Sequence, residues 1–428
     1  MVVFSWMLFI VSNLLKFLLA VLIFQSCINR LWANGFGLPD QDAFAMGRGE
    51  AFVATADNPS AIYYNPAGIT QLKGDNLRGG LYGVYYNPSY RNPNNGNTYN
   101  GLANLAAIPQ AFYVHSMEKL PLSFGLGVYF PYGGNMDWPQ DTGFREIAVS
   151  ASLKYVTINP TVAWKILPSL SIAAGAMVNY VDMTTAQGVP VPSSTLINYF
   201  DFKGSGWSAG YNVGILWKPI KKVSFGATFR SSATVTLNGQ THYEVQPVIS
   251  PAVYNSANMN MTFPWTVVSG ISYRPTAKWN LELDGNYTHW SSLGTLNLHQ
   301  DNPHPPLNSD NTVNFGWQGS WIAELGATRY FDHGWHASAG YAFNENSVPN
   351  TYYTPWVADL NRHLFSVGVG RTGKRFDFDV AYQLGYGPSH TVTGSSPSLK
   401  IEGNINQSAN GQYGFFSSAF IVSAGIHF

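Results

Sequence analysis

From residue 76 to the end, the chain repeatedly alternates large apolar residues with small or polar ones, which is the two-residue period of β-strands. Between Trp279 and Thr288, odd positions carry Trp, Leu, Leu, Gly and Tyr, and even positions carry Asn, Glu, Asp, Asn and Thr. Aromatic residues tend to end the apolar runs, as Trp207 and Trp217 do. This pattern is typical of strands that face lipid on one side and a polar lumen on the other.

The composition supports a membrane location without spanning helices. Only 11% of the 428 residues are charged, whereas about 25% is usual for soluble domains. Past residue 33, no run approaches the roughly 18 consecutive apolar residues that a spanning helix needs. The 23 basic residues balance the 23 acidic ones, which argues against a nucleic-acid partner, since such a protein needs a basic surface. A membrane β-barrel remains, with a soluble β-sandwich as the alternative.

Fourteen alternating segments follow one another, separated by connections that are in turn short and long. The predicted strands occupy about residues 76–88, 105–116, 120–131, 145–166, 169–183, 206–218, 222–237, 261–274, 278–290, 320–331, 334–344, 363–371, 375–387 and 412–428. An even strand number with alternating connection lengths is typical of outer-membrane barrels, whose short turns are periplasmic. The sequence therefore predicts an all-β membrane protein in which residues 76–428 form a 14-stranded antiparallel transmembrane β-barrel.

Residues 1–33 are predicted to be a signal peptide. The apolar stretch of residues 17–24 follows Lys16, and a plausible cleavage site lies after Ala33. A retained N-terminal helix is the alternative. The one cysteine, Cys27, falls within this segment. A mature chain without cysteine has neither disulfides nor thiolate metal sites, and no other metal site or cofactor is predicted.

Residues 34–75 do not alternate, and they contain the pairs Asn58-Pro59 and Asn65-Pro66. Asn is a favoured helix N-cap and Pro a favoured first helical residue, so each pair can start a short helix. The second proline also ends the first helix. A segment of this size is too small to be stable alone, and the lumen of a 14-stranded barrel is wider than that of an eight-stranded one, which side chains can fill. We therefore predict a mostly helical hatch, or plug, inside the lumen, with a flexible periplasmic tail as the alternative.

Two patterns that suggest catalytic chemistry are weak here. The G-x-S-x-G sequence around Ser208 matches a hydrolase nucleophile motif, but that motif requires a strand-to-helix turn and Ser208 lies early in a predicted strand. His333 and His336 bracket a turn without a third metal ligand. No catalytic or metal-binding residue is therefore predicted, and the protein is not expected to be an enzyme.

Several acidic residues occupy inward positions of the predicted strands, and they resemble paired catalytic carboxylates only superficially. We expect them to pair with inward arginines such as Arg230, or with Arg48 of the hatch, and so to hold the hatch in place. These acids are Glu282, Asp284, Glu324, Asp377 and Asp379.

The hatch segment and several strands carry motifs of a known family. These motifs include residues 35–38, residues 47–51, residues 57–69 with the triplet Asn65-Pro66-Ala67, residues 158–164 and residues 286–291. In these stretches the chain resembles the FadL-type outer-membrane transporters (OmpP1/FadL/TodX), a family that includes long-chain fatty acid transporters and toluene and xylene uptake proteins. The similarity covers essentially the whole chain after residue 33.

The resemblance implies a 14-stranded barrel with an N-terminal hatch, substrate capture among the outer loops and a pocket beneath them. It further implies lateral exit through an opening in the wall at a kink in the third strand. On this sequence, the hatch or gating residues are Asn65, Pro66 and Ala67. The kink would fall at Gly125 and Gly127, which lack side chains and weaken the strand, although ordinary barrel packing also explains these glycines.

The implied function is passive uptake of long-chain fatty acids or similar hydrophobic molecules across the bacterial outer membrane. The alternatives are uptake of aromatic hydrocarbons or alkanes, and a non-transporting adhesin or structural barrel. Outer-membrane lipids and lipopolysaccharide are the expected surroundings. The barrel assembly machinery is expected to recognise the last strand, which ends at Phe428, and a monomer is expected.

Overall fold

The computed structural model describes residues 35–102, 104–189, 199–245, 249–303, 308–396 and 407–428. The predicted signal peptide, residues 1–33, lies outside the described residues. Within these ranges, no helix combines the length and the apolar character that crossing a bilayer requires.

The described residues contain nineteen β-strands joined in one antiparallel sheet. Fourteen of them form a closed wall: β1 (Gly74–Arg91), β3 (Asn104–Ser116), β4 (Leu122–Asp137), β5 (Ser150–Leu167), β6 (Leu170–Gly188), β7 (Tyr199–Ile220), β8 (Val223–Arg230), β11 (Thr266–Thr276), β12 (Trp279–Thr288), β15 (Ser320–Tyr330), β16 (Trp335–Asn344), β17 (Arg362–Thr372), β18 (Phe376–Val392) and β19 (Gly411–His427). The first and last strands pair from Asn76 with His427 to Arg91 with Gln412. The prediction of a 14-stranded barrel is confirmed.

The other five strands lie at the end of the barrel that carries the long connections. They are β2 (Thr98–Asn100), β9 (Ala233–Val245), β10 (Ile249–Phe263), β13 (Thr295–Gln300) and β14 (Asp310–Asn314). Strands β8 and β9 are two parts of one predicted segment, because Ser231 and Ser232 interrupt it. Short 3-10 helices at the same end span Trp290–Ser292, Asn350–Tyr352 and Pro355–Val357. A fourth, Asp332–Gly334, forms the short turn before β16.

The barrel has an apolar outer face and a polar inner face, the reverse of a soluble protein. In β12, Leu281 and Leu283 are each 41% exposed, whereas Glu282 and Asp284 are each 2% exposed. The opposite faces follow the alternation read from the sequence. Because an apolar surface of this extent requires a hydrocarbon environment, the outer face is the surface in contact with lipid.

Residues 35–73, here called the hatch, precede β1 and lie inside the barrel. The hatch contains α1 (Ala43–Met46), α2 (Ala61–Tyr64) and a 3-10 helix (Pro66–Gln71), and turns join these short helices. The side chains of α1 and α2 are buried. The predicted end of the first helix before Pro66 is confirmed, since Asn65 follows α2 in an extended conformation and caps the 3-10 helix.

Candidate functional site

Asn65 joins the hatch to the barrel wall. Its side chain is fully buried. The Asn65 amide donates to the carbonyl of Val53 at 2.8 Å and to the carbonyl of Ile215 in β7 at 2.9 Å. Its Oδ1 accepts from the backbone N–H of Ala67 at 3.2 Å. The Asn-Pro-Ala triplet therefore fixes the second helix of the hatch to the wall and to the hatch loop that contains Val53.

A buried carboxylate of β12 holds the middle of the hatch. Glu282 Oε2 lies 3.1 Å from Arg48 Nη2, with both side chains fully buried. Glu282 also accepts from the backbone N–H of Ala54 at 2.7 Å. Next to it, Asp284 accepts from the N–H of Val53 at 2.9 Å. The expected pairing of Arg48 with an inward acid is confirmed.

Arg78 of β1 forms a second buried network that the sequence did not reveal. Its guanidinium donates to Asp42, the N-cap of α1, and to Asp379 of β18 at 2.7 Å. Asp379 also contacts His336 Nε2 at 2.6 Å, and Asp377 lies 3.5 Å from Arg78 Nη1. This network ties the first helix of the hatch to the wall, and it accounts for two of the five predicted acids.

Glycines in the wall allow the hatch backbone to lie directly against the strands. A Cβ atom at Gly340 would lie 2.1 Å from the carbonyl carbon of Arg48, and one at Gly226 would lie 2.0 Å from the carbonyl oxygen of Val53. At Gly326 the corresponding distance to the carbonyl oxygen of Arg48 would be 2.5 Å. Only residues without a side chain permit such contacts, so this part of the hatch has little room to shift.

The N-terminal part of the hatch contacts β4 where that strand is irregular. The register of β4 against β5 shifts between Tyr129 and Tyr132. The Gln41 side chain donates to the carbonyl of Phe130 at 2.8 Å and accepts from its N–H at 3.1 Å. The N–H of Leu38 donates to the carbonyl of Pro131 at 2.9 Å. The hatch thus supplies hydrogen bonds that a neighbouring strand would otherwise provide.

The wall is incomplete beside this irregularity. Among the described residues, β3 and β4 pair only along Ala111–Ser116 and Ser123–Val128. Beyond these pairs, β3 continues along β1 and β4 continues along β5. Where β3 begins and β4 ends, near the long connections, the N–H of Leu102 donates to the carbonyl of Asp137 at 2.8 Å. The unpaired parts of β3 and β4, residues 104–110 and 129–137, therefore border an interval in the wall, here called the window.

Gly125 and Gly127 lie in the regular part of β4, below the window. Gly125 is paired with Val114 and Gly127 with Phe112. A Cβ atom at Gly125 would lie 2.8 Å from Cδ1 of Ile62. These two glycines thus bring the second helix of the hatch close to the wall, and the register shift begins two residues after Gly127.

A narrow cavity lies between the hatch, the window and the inner wall. It is lined by Gly37, Leu38, Pro39, Tyr63, Tyr129, Pro131, Tyr132, Tyr155, Thr157, Met177, Asn179, Arg230, Ser231, Ala233, Phe263, Pro264, Thr266, Asn286 and Thr288. Arg230 is the one charged side chain in this lining. It donates to the carbonyl of Tyr63 and lies 4.0 Å from the centre of that ring, but its buried Nε has no partner. Among the described residues Arg230 forms no ion pair, contrary to the sequence expectation.

A large apolar cluster continues from this cavity toward the outer loops. It includes Tyr155 and Phe263 beside Arg230, and Met259, Leu298 and Trp356 farther out. A second, smaller cavity lies within the outer part of this cluster and is lined mainly by Met, Leu and Phe. The one charged group and the apolar lining of the outer cavity thus lie in different parts of the interior.

Phe36 of the hatch fills the space between these regions. Its ring centre lies 4.7 Å from that of Trp290, 5.3 Å from Trp317 and 5.9 Å from Phe263. The N–H of Gly35 donates to Asp359 at 3.0 Å. The first residues of the hatch therefore separate the outer apolar cluster from the interior below it.

Two hatch carboxyl groups have perturbed titration. Burial raises the pKa of Glu50 well above its usual range, and the neighbouring Asp40 raises it further. Burial also raises the pKa of Asp40. Glu50 accepts from the hydroxyl of Tyr64 at 2.7 Å. The protonated form of Glu50 therefore suits the docked hatch.

The residues of the motifs that suggested enzyme chemistry lie in strands and in a turn of the barrel. Ser208 lies within β7, not at a strand-to-helix turn, and its hydroxyl is 3.4 Å from the Asn179 amide. His333 is exposed in a turn, and His336 is buried against Asp379. In the part of the chain that the structure describes, no group of three or more His, Cys, Asp or Glu residues is arranged to hold a metal ion.

Residues 26–421 of the chain match the family described as "Outer membrane protein transport protein (OMPP1/FadL/TodX)". The chain belongs to this family. Among its relatives, the long-chain fatty acid transport protein of Escherichia coli O6:H1 (strain CFT073) is 23% identical over 402 residues, covering 84% of this chain and 87% of that protein. As a member of the OMPP1/FadL/TodX family, the protein is a bacterial outer-membrane transporter of hydrophobic compounds.

Solved structures show the same fold. A Pseudomonas aeruginosa FadL homologue has a TM-score of 0.79 at 17% identity, covering 92% of this chain and 99% of that one. The Pseudomonas putida toluene transporter TodX has a TM-score of 0.72 at 13% identity, covering 94% of this chain and 100% of that one. At these identities the likeness concerns the fold, and one of these two proteins is named for an aromatic hydrocarbon.

Proposed function

We propose that this protein mediates passive uptake of long-chain fatty acids and that Arg230 binds their carboxylate. The proposal depends on one observation. Arg230 is the one charged side chain in the lining of the cavity between the hatch and the window, and it forms no ion pair among the described residues. A guanidinium binds a carboxylate through short, charge-assisted hydrogen bonds. An alkane or an aromatic hydrocarbon would leave the half-buried Arg230 without a counter-charge, which is costly.

The apolar cluster above Arg230 suits the acyl chain of such a substrate. Each buried CH₂ group contributes about 0.8 kcal/mol, so Met259, Leu298 and their neighbours retain a chain without specific chemistry. In this mechanism the outer loops capture the molecule and the apolar cluster passes it inward. Displacement of Phe36 then gives the carboxylate access to Arg230.

Release would proceed sideways through the window. The cavity is lined by Tyr129, Pro131 and Tyr132 of β4, which border the window, and by residues 37–39 of the hatch. A shift of this hatch segment would join the cavity to the lipid. Asn65, Pro66 and Ala67 would serve as the fixed support of the gate, with Gly125 and Gly127 holding the hatch against the wall below the exit.

The role of Arg230 is tested by comparing a long-chain fatty acid with its methyl ester. We expect Arg230→Gln to weaken binding of the acid to the purified protein by about 1.5–3 kcal/mol, the contribution of a hydrogen bond to a charged group. Binding of the ester should not change. Arg230→Lys, which keeps the charge, should restore part of the affinity for the acid.

Equal binding of acid and ester by the unmodified protein would contradict the proposal and favour a hydrocarbon substrate. Arg91→Gln, at an exposed position at the outer end of β1, is the matched control. Growth of a deletion strain on fatty acid, with and without the gene, separates a transporter from an adhesin or structural barrel. Absence of any effect on growth would favour the latter.

A further inference from the structure

The end of the barrel with the short turns, here called the periplasmic rim, has a strong excess of positive charge. It comprises residues 72–75, 117–121, 165–169, 218–222, 274–278, 329–334 and 371–375, all of which are described. These ranges contain twelve Lys or Arg residues and three Asp or Glu residues. The twelve basic residues are all exposed. Since the whole chain has a formal net charge of zero, this excess is a local property of the rim.

The opposite end of the barrel has the reverse charge. The long connections are residues 89–104, 132–149, 184–205, 238–260, 291–319, 345–362 and 388–411. As far as the structure describes them, they contain nine acidic and four basic residues. The two ends of the barrel are therefore suited to different surroundings.

The cations of the rim lie at the depth of lipid headgroups. Tryptophan is enriched at the boundary between hydrocarbon and headgroups, and four exposed tryptophans mark that boundary here. A basic residue lies at about the depth of each. Lys165 follows Trp164 and Lys218 follows Trp217, while the guanidinium of Arg329 lies 5.1 Å from the Trp279 ring and that of Arg371 lies 5.8 Å from the Trp335 ring.

We propose that the periplasmic rim binds the phosphate groups of anionic phospholipids in the inner leaflet of the membrane. Lys and Arg form charge-assisted hydrogen bonds with phosphate. A zwitterionic headgroup carries its own cation, which competes for the phosphate, so a lipid with net negative charge is preferred. Among the rim cations, Arg274 has an acidic partner, Asp57 of the hatch at 2.9 Å. Lys221, Lys222 and Lys374 form no ion pair among the described residues.

The test uses the full chain in detergent micelles and measures lipids retained in native mass spectrometry. Phosphatidylglycerol and phosphatidylcholine with identical acyl chains are supplied in equal amounts. The unmodified protein should retain phosphatidylglycerol preferentially. In the triple variant Lys221→Gln, Lys222→Gln, Lys374→Gln, the preference should fall by about fivefold for each charge removed.

The matched control removes three exposed cations from the opposite half of the barrel, Arg91→Gln, Lys154→Gln and Lys203→Gln, and should leave the preference unchanged. High salt should weaken the preference of the unmodified protein, because exposed charges are screened. Equal retention of both lipids by the unmodified protein overturns the proposal, and so does an unchanged preference in the triple variant.

Discussion

The side-chain amide of Asn65 donates hydrogen bonds to two separate backbone segments and caps the 3-10 helix of the hatch. Replacement by alanine removes the cap and leaves the carbonyls of Val53 and Ile215 without their donor. We expect Asn65→Ala to destabilise hatch docking by about 2–5 kcal/mol, to depress uptake and to leave the barrel assembled. Limited proteolysis of the hatch, with heat-dependent gel mobility of the barrel, measures both effects. Unchanged uptake in a folded variant would argue against a gating role, and Asn238→Ala, at an exposed position, is the control.

The contact of Gly340 with the hatch can be tested with a single methyl group. In Gly340→Ala the added carbon would overlap the backbone of Arg48 and Gly49. Overpacking of this kind typically costs about 1–3 kcal/mol, and we expect the hatch to become more sensitive to protease while the barrel remains folded. In Gly285→Ala the nearest atom, in the Trp321 side chain, would lie at 3.8 Å. Equal protease sensitivity in the two variants would contradict the close-contact interpretation.

For individual residues, the sequence predicted the interaction partners that lie close in the chain. It missed the partners that only the pairing of distant strands brings together. Asn65 and Pro66 act on their own neighbours, so their cap could be read directly. Arg48 was assigned an acidic partner in general terms. The pairing of Arg78 with Asp379 joins residues 301 positions apart, and it depends on how β1, β18 and the hatch meet in space, which no local pattern contains.

At the scale of elements, the docking of the hatch should depend on pH. Glu50 binds its proton more tightly in the docked hatch than in water, where a glutamate has a pKa of about 4.3. As pH rises above that value, the docked state loses the advantage of the bound proton, so its stability falls. We expect hydrogen exchange across residues 43–54, corrected for intrinsic rates, to show more frequent opening at pH 8 than at pH 5.5.

The variant Glu50→Gln should reduce this pH dependence, with a remainder due to Asp40. Glu118→Gln, in an exposed turn, should not change it. An identical pH profile in Glu50→Gln and the unmodified protein would show that another group is responsible.

The strands themselves were largely predictable, because each buries a polar face and exposes an apolar one over eight or more residues. Two interruptions were not. The break at Ser231 and Ser232 lies within an alternating segment, and the irregularity of β4 at Tyr129 to Tyr132 depends on hydrogen bonds from Gln41 and Leu38. The family resemblance placed the kink at Gly125 and Gly127, and these two glycines pair regularly with β3.

At the scale of the whole molecule, the apolar outer surface should be immersed in hydrocarbon. Leu283 lies in the middle of β12 and faces outward. Arginine there should cost about 2–4 kcal/mol of folding stability, as at the midplane of other outer-membrane barrels. Leu120→Arg, at an exposed position in a rim turn, should cost about 0–1 kcal/mol. Urea unfolding in liposomes measures both, and equal costs would contradict the placement of the bilayer.

Gln41 and Leu38 complete the hydrogen bonding of β4, and this has a consequence for the leakage of solutes through the barrel. Polar backbone groups facing hydrocarbon without partners each cost several kcal/mol. If residues 38–41 moved away, the backbone groups of Phe130 and Pro131 would lose these hydrogen bonds. The same movement would open the lumen. We therefore expect the hatch to leave this position only when a substrate molecule or water replaces these hydrogen bonds. We expect it to return to β4 once the substrate has left, which would close the lumen again.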